Sequence, residues 1–410
     1  MSAALNQAIN KYSMPDERLP VFRQGTIQVM AIACGVMVGN VYLCQPLLAQ
    51  MAQDLGVSEQ TSSLVAFATQ IGYAFGILMV VPLADKADPA KLMRWLLAIT
   101  AFGLGSAAFA PSVSWLLLAC AIFAPLTVVP QILIPLSTSL VSPHARGQVV
   151  GKLSAGVVIG ILLSRTISGA VAQATGSWRA SYLLAAALTT ILWFVLPPFM
   201  PQNRVRNTGR YRDLLASLPA MLRHRPLLLS VGINFFVFGA FSAFWSTLVF
   251  HVSTPEFGFG PAAAGLFGLW GIPGALIATI AGRLTDRLGP ARVNVFALLA
   301  AASGMLVAGT WGTASITGMV ASVNLLDLGM QSGQIANQTR IFGLGDAIRG
   351  RVNTIYMTAT FLGGAAGAAE GAAAWTHAGW SGVCVLGGSL IAVAAGIFLC
   401  SKIFSRKIHL

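Results

Sequence analysis

The chain has 410 residues, of which 56% are hydrophobic and only 9% charged. A water-soluble chain carries about 25% charged residues, so this composition excludes a protein solvated on all sides and leaves no room for a large soluble enzymatic domain. The formal charge of +13 raises the question of nucleic acid, and the placement of the basic residues answers it in favour of a membrane.

Residues 1–25 are polar, with Lys11, Asp16, Glu17, Arg18 and Arg23, and lack the apolar core of a cleaved signal. They read as a retained cytoplasmic tail. Apolar stretches then follow at 26–48, 62–83, 92–111, 114–140, 149–174 and 181–199. After a linker at 200–225 come 226–250, 261–282, 292–310, 313–338, 350–373 and 381–402. Each approaches the roughly 20 residues that a helix needs to cross about 30 Å of hydrocarbon. The expected fold is an all-α membrane protein of twelve transmembrane helices. It has a first six-helix bundle at 26–199 and a second, with a short cytoplasmic tail, at 226–410. Within the linker, Tyr211 to Arg223 reads as a short helix on the membrane surface or as a solvated connection.

Lys and Arg are retained on the cytoplasmic side of short loops. With both termini inside, every basic residue falls on the inner side except Arg179, which is outside, and Arg165, which is inside a span. An incorrect span count would scramble this alternation. Trp115, Trp178, Trp311, Trp375 and Trp380 lie at outer span ends, where indole rings favour the interface. The five cysteines, Cys34, Cys44, Cys120, Cys384 and Cys400, lie in apolar spans and read as buried free thiols. Their spacing suits no metal site.

Features recur across the linker at a near-constant offset. Asp85 matches Asp286, Arg146-Gly147 matches Arg349-Gly350, and Gly169 with Trp178 matches Gly371 with Trp380. Such recurrence indicates a duplicated six-helix unit, hence two pseudo-symmetric bundles around a cavity that opens to either side.

The segment Gly282-Arg283-Leu284-Thr285-Asp286-Arg287-Leu288-Gly289-Pro290-Ala291-Arg292 resembles the cytoplasmic G-x-L-x-D-R-x-G-x-x-R signature of the major facilitator superfamily. A weaker copy follows the second span, with Asp85, Lys86 and Lys91, and with Pro82 at the first Gly. The resemblance implies the twelve-helix fold. It also implies a gating role for Asp85, Lys86, Lys91, Gly282, Asp286, Arg287, Gly289 and Arg292, as a cluster that latches the outward-open state. Gly156, Gly160 and Ser164-Arg165-Thr166-Ile167-Ser168-Gly169, followed by Trp178-Arg179, are similar to the G-P-x-x-G-G segment of that family's proton-coupled drug-efflux branch. Arg165 stands where the branch has Pro.

Three ionisable side chains fall within spans: Arg165, Asp327 and Glu370. A charge at mid-membrane costs at least about 2.5 kcal/mol on insertion scales, so these are the proton-coupling candidates, with a fixed structural pairing as the alternative. Asp327 leads, being a carboxyl near the middle of the tenth span. Arg165 is always charged and needs an anionic partner, Asp327 or a substrate group. Substrate-cavity candidates are Asn40, Tyr42, Gln45, Gln70, Tyr73, Gln131, Asn234, Trp245, Asn324, Gln331 and Gln334; any single amide among them can instead join helices. Asp327, Gln331 and Gln334 share a helical face. Gly35, Gly39, Gly363, Gly364 and Gly367 suit close helix contacts.

No phosphate-binding loop, HExxH or GxSxG is present, and the histidines are scattered, so the chain reads as a non-enzyme with no cofactor and no metal. The leading expectation is a secondary transporter in the bacterial inner membrane, monomeric, working with protons, membrane lipid and a small-molecule substrate, and exporting a drug-like compound or metabolite. The alternatives are a proton-coupled uptake symporter for a small anionic metabolite and, more remotely, a non-transporting sensor or a lipid scramblase.

Overall fold

The computed structural model describes residues 25–201 and 211–407, and every regular element among them is helical. The predicted tail up to residue 24 and the linker residues 202–210 lie outside the described residues, as does the side chain of Asp85. Helix starts are set by local chemistry. Ser58 and Asp88 accept from backbone N–H groups at Thr61 (3.1 Å) and Lys91 (2.9 Å), and Ser112, Ser177 and Ser315 cap later helices in the same manner.

In the first half, α1 (Thr26–Tyr42) leads through a 3₁₀ turn at Gln45–Leu47 into α2 (Leu48–Asp54). α3 (Glu59–Met79), α4 (Pro89–Ala108), α5 (Val113–Phe123), α6 (Val129–Thr138), α7 (Arg146–Thr175) and α8 (Trp178–Val195) follow. The linker contributes α9 (Tyr211–Met221). The second half holds α10 (Arg225–Val252), α11 (Pro261–Trp270), α12 (Ile272–Leu288), α13 (Pro290–Gly309), α14 (Ile316–Phe342) and the long α15 (Arg349–Lys407). α15 is two helices end to end, broken at Ala378 and at Gly379, whose φ of +59° only glycine adopts freely. Among the described residues, eight helical stretches are long and apolar enough to cross a membrane, and the last, Arg349–Ser401, is about twice the length that one crossing needs.

Three predicted spans are not single rods. The first turns at Gln45–Leu47, the fourth is interrupted around Pro125, and the eighth is interrupted at Gly271. Each break carries a proline, which removes an N–H and obstructs the preceding turn. The signature around Asp286 is the last part of helix α12, which runs to Leu288. The loop proper is Gly289, whose φ of +82° turns the chain into α13. The linker helix is fastened rather than lying free, because Tyr211 Oη donates to the Met79 carbonyl (2.7 Å).

Glycine sets the closest packing in both halves. α1 meets α7 where Gly35 faces the Gly156 carbonyl, a Cβ there standing 2.7 Å from it, and where Gly160 faces Gly35 backbone. α10 meets the first limb of α15 in the same way, with Gly239 against Gly363 and Gly367. Gly160→Ala is expected to push α1 and α7 apart and to cost about 1–3 kcal/mol as an overpacked contact. Gly151→Ala, on the same helix with open space around it, is expected to be near neutral, and thermal unfolding in detergent compares the two.

Trp178 and Trp380 do not sit at an interface. They are buried, Trp178 packing edge-on against Tyr182 and Trp380 stacking on His251 at 4.3 Å between ring centres. Trp115 and Trp311 are exposed as expected. Cys400 departs from the expectation too, being exposed while the other four thiols are buried.

Candidate functional site

The two halves meet differently at their two ends. At the end away from the basic loops, hereafter the opposite face, glycines bring α11 onto α7. A Cβ on Gly268 would stand 2.8 Å from the Leu162 carbonyl, and Gly265 and Gly169 are closer still to backbone across the seam. Hydrogen bonds close the same end. Thr166 Oγ1 donates to the Gly265 carbonyl (2.9 Å), the Ala262 N–H to Gln173 Oε1 (3.1 Å), and Trp375 Nε1 to Glu59 Oε2 (2.6 Å).

Towards the basic face the halves part around a cavity of about 550 Å³, the size of pocket that takes a small organic molecule. Its wall comes from both halves and from the linker helix, with Ile77, Lys86, Gln131, Asp213, Arg351 and Asn353 among the lining residues. The protein is thus sealed at one end and open at the other. The signature residues Asp286, Arg287 and Arg292 stand exposed at the open end, as does Lys91, while Gly282 has open space around its Cα.

Between seal and cavity lies the charged centre. Arg165 projects from α7 at 1% exposure, and Asp327 from α14 at 5%. Arg165 Nε donates to Gln45 Oε1 (2.7 Å), a bond that exists because the 3₁₀ turn after α1 points Gln45 inward. Its guanidinium lies 3.8 Å above the Trp245 ring and 5.1 Å from the Tyr42 ring, a cation–π cage. Arg165 Nη2 and Asp327 Oδ2 are buried without a hydrogen-bond partner. Among the described residues neither group takes part in an ion pair. Trp245 Nε1 is likewise buried without a hydrogen-bond partner. Both charged groups line one small cavity of about 20 Å³, with Tyr42, Phe241 and Gln331, which is room for one water-sized species.

An aromatic run connects this centre towards the large cavity. Tyr73 packs on Phe361 (4.3 Å), Phe361 on Phe238 (5.3 Å), Phe238 on Phe241 (5.6 Å) and Phe241 on Trp245 (6.1 Å). Tyr73 lies one helical turn from Ile77, which lines the large cavity.

The structure therefore gathers Tyr42, Gln45, Arg165, Trp245, Asp327 and Gln331 of the sequence candidates. Gln70, which donates to Ser242 (3.3 Å), crosses between the halves. Others are occupied elsewhere. Asn40 bonds Thr189 (3.3 Å), Asn234 bonds Thr360 (2.7 Å), and Asn324 bonds the backbone of the α11–α12 joint. Gln334 is half-buried one turn beyond Gln331, outside the small cavity, and Glu370 is exposed and apart from this centre. Phe241 was not singled out from the sequence, because one Phe among 22 carries no distinguishing pattern there.

The Major Facilitator Superfamily model matches residues 30–368. The uncharacterized transporter YgaY of Escherichia coli O157:H7 is 34% identical over 369 residues, covering 90% of this chain and 93% of that protein. Among solved structures, the nucleoside transporter NupG superposes with a TM-score of 0.73 at 16% identity, covering 92% of this chain and 98% of that one. A peptide transporter solved with sulfate superposes at 0.74 and 13% identity, covering 94% and 95%. A family match over most of the length, a relative at this identity and a shared fold converge: the chain belongs to the Major Facilitator Superfamily and is a multi-pass membrane transporter of small molecules.

Proposed function

We propose that this transporter moves a small organic anion together with a proton by alternating access, with Arg165 receiving the anion and Asp327 the proton. The observation that carries this reading is the pair itself: a buried guanidinium with an unpartnered Nη2, and a carboxyl lining the same small cavity but not ion-paired to it. Arg165 stays charged, and its free edge matches a carboxylate or phosphate oxygen. An anion whose carboxylate end reaches that edge meets repulsion from an ionised Asp327, and a proton on Asp327 removes that repulsion. Proton and anion therefore favour one another's binding, which is the thermodynamic basis of co-transport. Among the described residues, the large cavity wall carries Lys86 and Arg351 together with Asp213, a balance that favours an anion.

Retention of Lys and Arg on the cytoplasmic side supports reading the open end as cytoplasmic and this form as inward-facing. An inward proton gradient then drives uptake. The second reading is proton-driven efflux, favoured by the likeness of Gly156 to Gly169 and Trp178-Arg179 to the efflux branch.

Benzoate flux into proteoliposomes under an imposed proton gradient tests the proposal. Accumulation on the alkaline side beyond that in protein-free vesicles, which neutral benzoic acid enters by itself, is expected, with proton movement in the same direction. Counter-movement of proton and benzoate establishes the efflux reading instead, and flux indifferent to the gradient removes proton coupling.

A further inference from the structure

The interrupted eighth rod has two limbs that keep different company. α11 belongs to the seal, its Gly265 and Gly268 lying against α7 around Arg165 and Leu162. α12 packs on α14 and runs to the basic face. The joint between them is Gly271, followed by Pro273 and Gly274.

Pro273 cannot donate, so the helical ladder is already one bond short here. The next bond of an unbroken helix, from the Gly274 N–H to the Trp270 carbonyl, is replaced by the side chain of Asn324. Its Nδ2 donates to the Trp270 carbonyl (2.7 Å) and to the Val320 carbonyl of its own helix (2.9 Å), and its Oδ1 accepts from the Gly274 N–H (2.9 Å). One carboxamide thus splints both sides of the joint. In hydrocarbon no solvent is available to do so. Three residues along α14, on the same face, Asp327 Oδ2 occupies the space that a Cβ on Gly271 would need, and a Cβ on Gly274 would stand 2.5 Å from the Asn324 carbonyl. Side chains are excluded from the joint on the side facing α14.

We propose that Trp270–Gly274 is the hinge on which α11 swings off α7 to unseal the opposite face. Asn324 is its positioning residue, keeping the broken backbone hydrogen-bonded as the angle changes. A carboxamide bridge tolerates such a change where a direct helical bond does not, because its two bonds pivot about a side chain. The hinge abuts Asp327, so the residue assigned to the proton touches the element that must move. This inference rests on the alternating-access reading.

The test uses the full chain in proteoliposomes, spin-labelled at Thr175 and Glu256, both exposed at the opposite face. Under an imposed proton gradient with benzoate, wild type is expected to gain a second, longer distance population. Pro273→Ala, which restores the N–H and stiffens the joint, is expected to keep the short distance, lose the longer one and lower benzoate flux at least about tenfold. Asn324→Ala is expected to lower both Tm and flux. The double variant with Pro273→Ala is expected to recover Tm but not flux, a split that a merely structural asparagine does not produce. If Asn324→Ala does not fold, Asn324→Asp serves, since it keeps the acceptor for Gly274 and loses the donor to Trp270. Wild-type distances and flux in Pro273→Ala overturn the hinge while leaving alternating access in place. A wild type with a single unchanging distance overturns both.

Discussion

Asp327→Asn is expected to abolish gradient-driven accumulation of the anion while anion-for-anion exchange continues. The carboxamide has the shape of a protonated carboxyl and no proton to exchange, so the site is held in its anion-receptive form. Two like unit charges about 4 Å apart at an effective dielectric of 20 repel by roughly 4 kcal/mol, an upper bound for this site. Removing the Asp327 charge is therefore expected, within that bound, to tighten benzoate binding by as much as about 100-fold and to flatten its pH dependence. Calorimetric titration of purified protein at acidic and alkaline pH measures the affinity, and counterflow in proteoliposomes measures exchange. Accumulation that survives in Asp327→Asn removes this carboxyl from coupling. Affinity that falls in the variant removes the repulsion on which the co-transport reading depends.

The all-helical architecture was legible because the bilayer demands long apolar stretches and because basic residues mark one side of them. Arg165 and Asp327 were legible for a related reason: a charge inside an apolar stretch is costly enough to stand out by itself. What surrounds them was not. Gln45 reaches Arg165 only because Pro46 turns the chain just after α1, and a hydropathy pattern does not register a turn inside an apolar run. Asn324 resembled a cavity residue because it lies three positions from Asp327 on α14, yet its donors and acceptor are consumed by the α11–α12 joint. That assignment depends on a contact 50 residues distant in sequence. Trp178 and Trp380 were placed at the interface by their position at span ends, whereas neighbouring helices bury them. Side chains at equal membrane depth are separated by which helix they face, and depth was the coordinate the sequence offered.

Arg165→Gln is expected to lower benzoate affinity by at least about 30-fold, because truncating one partner of a buried charge pair costs about 2–5 kcal/mol. Loss of the charge alone does not explain the site, however, and Arg165→Lys separates charge from shape. Lysine keeps the positive charge but gives up the Nε bond to Gln45 and the planar contact with Trp245. It is expected to remain folded, to bind benzoate about tenfold or more weakly, and to retain proton-dependent flux at raised anion concentration. Stability supplies the independent check. Arg165→Gln leaves Asp327 buried beside no countercharge, whereas the double variant with Asp327→Asn leaves two neutral amides at the same places. The double variant is accordingly expected to unfold at a higher temperature than Arg165→Gln alone, a coupling that a double-mutant cycle isolates. Additive Tm changes would mean that the two charges do not sense one another across their cavity, and the anion would then need no proton at Asp327 to bind.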